Sequence, residues 1–407
     1  MTTAYSFPRI TSLFRSELCP DNTDVELLRL AKYQLLLAFE HPVPISPREL
    51  AGVNANIRRL RERNPHIIIL DWGTSAPYFR VPPGQDPPEC VFLHTPEGRR
   101  IKGWPYHQML NLSREEALDL LVEDVARRTE GLEVDGFFVD CMTSHFDAWA
   151  LNIESGEPVE VDADEDGKVD DLETLNDVWI TGKTRLLEKL RERFGENAVI
   201  CINGQRGCDY ARPYVNGAYF EDDLDRAVGD PGQWADVLRM YLDWCELPHQ
   251  PNCTTIGISS ALATPYWAKT TSLAYACKTF ERGHDTLPRM RFGLATALLG
   301  NGLFAYDVNT RWRGQRWWYA EFDAPLGKEK GPAQEFPDGT WRRDFDDGRV
   351  IVNPGKTPVR LAFESRMRDL STGWGGRGHV LPEASGRIYL PMGEGWDFQQ
   401  QEDLRFQ

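Results

Sequence analysis

The chain has 407 residues, 41% of them hydrophobic and 27% charged, and a net charge of −16. This is ordinary globular composition, long enough for one large domain and a smaller one. The acidic balance argues against a nucleic-acid partner, and no run approaches the roughly 18 apolar residues that a membrane span requires.

The opening MTTAYSFPRITSLF has no basic stretch followed by an apolar one, so no signal peptide is visible. The expectation is a cytoplasmic protein if Met1 is the native start, or a secreted one whose leader has been trimmed. No membrane partner is expected, and the oligomeric state is open. With 13 Trp, 13 Tyr and 19 Phe on an acidic chain, a neutral, stackable ligand fits better than a polyanion. The eight cysteines contain no C-x-x-C and form no disulfide or zinc pattern.

In chain order, strand-like runs occur at YQLLLAF (33–39), HIIIL (66–70), a weaker one between Ile101 and Leu112, GFFVD (136–140), AVICIN (198–203), GAYF (217–220), TTIGIS (254–259) and GLFAY (302–306). Helical patterns lie between them. Ser46 in SPRE has the spacing of a capping box with Pro47 at the first helical position, and SREE (113–116) repeats the pattern. The helix in LLEKLRERFG should end at Gly195. Strands apolar throughout, alternating with helices, describe a parallel sheet buried on both faces. A (β/α)8 TIM barrel over residues 1–335 is the simplest solution, and a doubly wound open sheet is the alternative. From about residue 336 to 407, short strands joined by DDG, NPGK and ASG turns predict a small antiparallel β-sandwich domain.

Residues at the C-terminal ends of barrel strands face the active site. That rule explains why VDGFFVDCM ends a core strand in a carboxylate, Asp140, at the fourth strand. The other strand ends carry Asp71 (second), Asn203 (fifth), Glu221 with Asp222 and Asp223 (sixth), Ser259 (seventh) and Asp307 (eighth). Trp72, Tyr219 and Tyr306 flank them. Two carboxylates on opposite sides of a sugar are what glycosidic bond cleavage requires, one as nucleophile or base and one as acid. Asp140 and Glu221 are the candidate pair, with Asp222 and Asp223 competing for the role of Glu221. Asp71, Trp72, Asn203, Tyr219, Asp222 and Asp307 are candidate substrate-binding residues. A lone strand-end Asp can also be a cap or a loop hydrogen-bonder.

The motifs VDGFFVD, NGAYFEDD, FGLATALLGNGLFAYD, WWYAEFDAPLG and WRRDFDDGRVIVNP, in that order, resemble those of hypothetical glycoside-hydrolase-like family fifteen. The group is distantly similar to endo-α-1,4-polygalactosaminidases and, in its layout of acids, to α-galactosidases. The resemblance covers about Tyr33 to Pro391. It implies a TIM-barrel glycoside hydrolase with catalytic acids at the ends of strands four and six, here Asp140 and Glu221. It implies no particular substrate, so an oligo- or polysaccharide is the expectation. A non-catalytic carbohydrate-binding protein on a degenerate barrel is the rival reading, and a lyase or glycosyltransferase a third. No G-x-S-x-G elbow or H-E-x-x-H is present, and GWGGRG (373–378) lies in the β region without a following helix. No cofactor is expected for the chemistry.

One stretch lies outside what a barrel needs. DADEDGKVDDLE (162–173) matches the calcium-loop pattern at every fixed position. Asp162, Asp164 and Asp166 would supply ligands at positions 1, 3 and 5, with Gly167 at the sharp turn. Lys168 would offer its carbonyl, Asp170 would stand at position 9, and Glu173 would close the shell. The expectation is a structural Ca2+ in a lone loop before a helix starting near Asp171. A solvated acidic turn is the alternative.

Overall fold

The computed structural model of the chain describes residues 7–12, 18–39, 41, 44–82, 84, 86–102, 107–144, 146, 159–259, 287–307 and 318–392. Two compact units share them. One comprises Thr11–Glu221 and Asp243–Thr255, the other Met1–Ile10, Asp222–Leu242 and Ile256–Gln407. Among the described residues no helix is long and apolar enough to cross a membrane.

The unit containing Thr11–Glu221 is built on β1 (Thr11–Ser12), β2 (Leu35–Phe39), β3 (Ile68–Ser75), β4 (Tyr78–Phe79), β5 (Gln108–Met109), β6 (Gly136–Asp140), β7 (Val199–Asn203) and β8 (Gly217–Phe220). Strands β1, β2, β3, β6, β7 and β8 lie side by side in that order, all parallel. Their apolar runs are buried end to end, as parallel strands covered on both faces must be. The helices are α1 (Asp24–Leu30), α2 (Pro47–Arg63), α3 (Glu115–Thr129) and α4 (Leu172–Phe194). Ser46 starts α2 through the expected capping box with Glu49, and Gly195 ends α4 at φ +79°.

Three expectations are corrected here. The run between Ile101 and Leu112 is not a barrel strand: only Gln108–Met109 is extended, and it pairs antiparallel with β4 in a side excursion after β3. The first parallel strand is instead Thr11–Ser12, too short to leave any periodic signal. HIIIL therefore belongs to the third parallel strand, and Asp71 lies within β3 rather than at its end. Ser113 does not cap α3, since the N-cap is Arg114 and the Ser113 hydroxyl donates to Asn111 Oδ1 at 2.7 Å.

The other unit holds α5 (Asp223–Ala227), most of α6 (Pro231–Trp244), most of β9 (Thr255–Ser259), α7 (Leu287–Leu298) and β10 (Leu303–Asp307), with β9 beside β10. Ile10 makes a parallel bridge to Phe304 of β10. Together with the six parallel strands of the first unit, these two complete the eight of a (β/α)8 fold. The fifth strand is followed by a single 3-10 turn, Asp209–Ala211, in place of a helix.

The same unit carries the antiparallel sheet β11 (Gln334–Glu335), β12 (Trp341–Phe345), β13 (Gly348–Asn353), β14 (Val359–Asp369), β15 (Gly375–Leu381) and β16 (Ser385–Pro391), in the order β11-β12-β13-β16-β14-β15. A register break in β14 between Ala362 and Met367 bends this sheet. Leu361 and Phe363 thereby pack with Ile351 and Tyr389 in one core. Helix α7 lies against β16 so closely that a Cβ on Gly386 would stand 2.4 Å from Ala295 Cβ. The buried Arg343 donates to the carbonyls of Leu298 and Gly300 just past the end of α7. A cation there complements the negative end of the helix dipole.

Candidate active site

Side chains alternate across a strand, so register decides which ones share a face. Phe138 pairs with Cys201 and Trp72, and Asn203 with Tyr219. Trp72, Phe138, Asp140, Asn203, Tyr219 and Glu221 therefore follow the same alternation. The Trp72 and Phe138 rings meet edge to face at 5.8 Å. The opposite set faces the helices: Phe137, one residue earlier, packs its ring on Phe194 of α4 at 4.9 Å. Asp140 and Asn203 end their strands, and Glu221 follows directly after β8.

At these strand ends the two acids share one amide. Asn203 Nδ2 donates to Asp140 Oδ1 at 2.9 Å and to Glu221 Oε2 at 2.7 Å. The same Asp140 oxygen accepts the backbone N–H of Cys141 at 2.8 Å. Cys141 takes a left-handed conformation, φ +61°, which costs a non-glycine residue of order 1–2 kcal/mol. Burial and the neighbouring Asp140 charge push its thiol well above the usual range, so it stands as a neutral, buried group. Two further contacts fix the turn behind it. Met142 N–H donates to Asn203 O at 2.8 Å, and Gly204, at φ +144°, passes so close that a Cβ there would meet the Met142 carbonyl carbon at 2.8 Å. Tyr78, buried beside Asp140 and Cys141, has its phenol raised by burial first and by those two neighbours next.

Asp71 stands apart from this cluster. It is fully buried, with His41 Nε2 3.2 Å from Oδ1 and Arg128 Nε of α3 donating to Oδ2 at 3.4 Å. Its partner on α3 puts it on the helix-covered face, where it joins His41 and Arg128 inside the fold and not a sugar hydroxyl. His41 and Arg128 have no motif in the sequence. Asp222, at φ +62°, turns the chain from β8 into α5, and Asp223 opens that helix. Ser259 at the end of β9 is bound by Asp225, whose carboxylate accepts its N–H and hydroxyl. The side chain of Asp307 lies outside the described residues.

In the acidic loop, ligand oxygens of Asp162, Asp164 and Asp166 lie within 4.8 Å of one another. Asp162 is buried and accepts the N–H groups of Asp166 and Gly167, at 3.1 and 2.9 Å. Gly167 takes the turn at φ +83°. The loop is anchored by Asp162 N–H to His94 O and by Asn111 Nδ2 to Ala163 O. Asp170 turns its Oδ2 onto the Ala163 N–H at 2.7 Å, Lys168 Nζ rests on Asp166 at 2.6 Å, and Glu173 is exposed on the first turn of α4. The helix starts where expected, with Asp171 as its cap.

Three solved structures have the same fold. The chain aligns with an alpha-amylase from Geobacillus thermoleovorans, solved with acarbose, over 95% of its own length and 98% of the amylase, at TM-score 0.52 and 10% identity. An Anoxybacillus alpha-amylase gives the same coverages at TM-score 0.51 and 10% identity. A pullulanase from Bacillus acidopullulyticus matches 91% of this chain and 55% of its own, at TM-score 0.50 and 12% identity. At such identity the likeness shows the fold alone, a (β/α)8 barrel with a C-terminal β domain. No curated protein matches the sequence. The model of hypothetical glycosyl hydrolase family 15 matches residues 76–349, a span of well over half the chain that carries Asp140, Asn203 and Glu221. The chain belongs to that family and is a glycoside hydrolase.

Proposed function

We propose that the enzyme cleaves the glycosidic bond of an oligo- or polysaccharide by double displacement, with Asp140 as nucleophile and Glu221 as acid and base. The shared amide of Asn203 carries this reading. Two bonds of 2.9 and 2.7 Å from one nitrogen hold Asp140 Oδ1 and Glu221 Oε2 at most about 5.6 Å apart. Retaining glycosidases separate their carboxyl groups by about 5–5.5 Å, whereas inverting ones need roughly 6.5–9.5 Å to admit a water.

In the first step Asp140 attacks the anomeric carbon while Glu221 gives its proton to the departing glycosidic oxygen. A glycosyl ester on Asp140 results. Glu221 then takes a proton from water, whose oxygen attacks the anomeric carbon and frees Asp140. The donors on Asp140 Oδ1, from Cys141 and Asn203, are what an ionised nucleophile accepts. Trp72, half-buried, supplies an apolar face for a sugar ring, whereas the Tyr219 side chain is buried. The acarbose bound to the amylase neighbour agrees with an oligosaccharide substrate.

The test is a panel of aryl glycosides and polysaccharides, followed by Asp140→Asn and Glu221→Gln on whichever substrate is turned over. Each change should lower kcat at least a thousandfold while the circular-dichroism spectrum stays that of the wild type. Proton NMR of the first product should show the configuration of the substrate. An inverted product, or either variant keeping more than a few per cent of activity, refutes the assignment.

We also propose that the loop 162–173 holds a structural Ca2+. Three converging carboxylates, a left-handed glycine and the Lys168 carbonyl form an oxygen-only donor set of the kind that ion selects. Asp170 and Glu173 would have to turn inward to complete it.

A further inference from the structure

Behind the turn that follows Asp140 lies a charged side chain with no part in the chemistry described so far. Lys183 of α4 is 0% exposed. Its Nζ donates to Cys141 O at 2.7 Å and to Thr143 O at 2.8 Å, and it lies 4.5 Å from the centre of the Trp179 ring. Between those two carbonyls, Met142 O accepts the Tyr210 hydroxyl at 2.6 Å and faces Cys208 Sγ at 3.1 Å. The three successive carbonyls of the turn are therefore all held. The left-handed Cys141, whose N–H is aimed at Asp140 Oδ1, is held with them.

A lysine is an expensive choice for this place. Its neighbours on the buried face of α4 are Leu175, Trp179, Leu186 and Leu190, and an apolar side chain would fill the volume without desolvating a charge. What an apolar residue lacks is two strong donors and a positive charge beneath the carboxylate. We propose that Lys183 is a positioning residue for the reaction: its buried ammonium fixes the Cys141–Thr143 turn, and so the orientation of Asp140, and supplies a positive charge behind that carboxylate. This rests on Asp140 as the nucleophile or base.

The titratable groups acting on the ammonium are Asp140 and Cys141 where β6 ends and Cys208 from the segment after β7, with the Tyr210 hydroxyl on the adjacent Met142 carbonyl. Burial lowers the Lys183 ammonium to about 7, against smaller opposing effects of Cys141, Cys208 and Asp140. The charge is thus present below about pH 7 and lost above it. Burial costs the folded state its proton, so this group makes the fold more stable as pH rises from about 7 towards the ordinary lysine value. A merely structural lysine would leave turnover unaffected over that range. A positioning lysine loses effect as its charge goes.

The experiment compares wild type, Lys183→Met and Asp140→Asn on a substrate the wild type hydrolyses, from pH 5.5 to 9. Lys183→Met should lower kcat at least thirtyfold at pH 6 with KM within threefold. The ratio of wild-type to variant kcat should shrink severalfold as pH passes through about 7. A kcat within twofold of wild type at every pH, with Asp140→Asn inactive, overturns the proposal and leaves the nucleophile standing. An active Asp140→Asn overturns the reading of the site itself, and this proposal with it. Should Lys183→Met fail to fold, Lys183→Gln, which keeps a neutral donor, takes its place under the same criteria.

Discussion

Replacing Asn203 by alanine removes a side chain that hydrogen-bonds both acids. Its amide makes two hydrogen bonds to carboxylates, 2.9 and 2.7 Å long. Bonds to charged groups are worth about 1.5–3 kcal/mol each. Part of that is recovered by water at these half-buried oxygens, so a net loss of about 3 kcal/mol in the transition state is a reasonable figure. At about 1.4 kcal/mol per tenfold, kcat should fall roughly 150-fold. Stability should change little, because the Asn203 carbonyl still accepts the Met142 N–H and the strand pairing of β7 is unaffected. A shift in Tm of a few degrees at most is expected, corresponding to about 1 kcal/mol. The assay is kcat and KM on an aryl glycoside, with thermal melts of both proteins. A variant within threefold of wild type in kcat would show that the pair is not organised through this amide.

Trp72→Ala should raise KM about three- to tenfold with a smaller effect on kcat, the size expected for losing one aromatic face, and unchanged affinity would remove Trp72 from the site. Asp71→Asn leaves Arg128 without its buried carboxylate; a loss of about 3–5 kcal/mol should appear as a lowered urea midpoint, and a midpoint equal to wild type would refute the buried network. Millimolar calcium should raise Tm and EDTA lower it, with both effects lost in Asp162→Asn; calorimetry without any heat of calcium binding would leave only a charged loop.

Much of the barrel was legible because buried parallel strands have no polar face to interrupt them. GFFVD, VICIN, GAYF and TIGIS stand out as apolar blocks, and each ends at the residue where it ends in the structure or within one of it. Thr11–Ser12 could not be read, since two paired residues carry no period. The Ile101–Leu112 run misled because its apolar residues pack a side excursion instead of a strand of the parallel sheet. For the site, strand-end carboxylates were visible as types. That Asn203 would join two of them depends on register between three strands, which no local pattern encodes. Asp71 shows the converse: an acid after an apolar run reads as a site residue, yet its partners come from 30 residues upstream and 57 downstream. Lys183 did leave a trace. It occupies an apolar position four residues after Trp179, where a lysine on a buried helical stripe signals a buried task.

Arg343 and Gly386 bear on how the molecule can be cut. Both lie beyond residue 335, where the sequence pattern changes, yet one anchors the end of α7 and the other lets β16 approach it. The last helix before β10 is therefore seated on residues that leave the ribosome some 50 to 90 positions after it. Expression of a fragment ending at residue 335 would uncover the face of this helix that packs on β13 and β16. The carboxyl-terminal sheet completes the packing of α7, and a graft of this barrel onto another protein has to carry that sheet along.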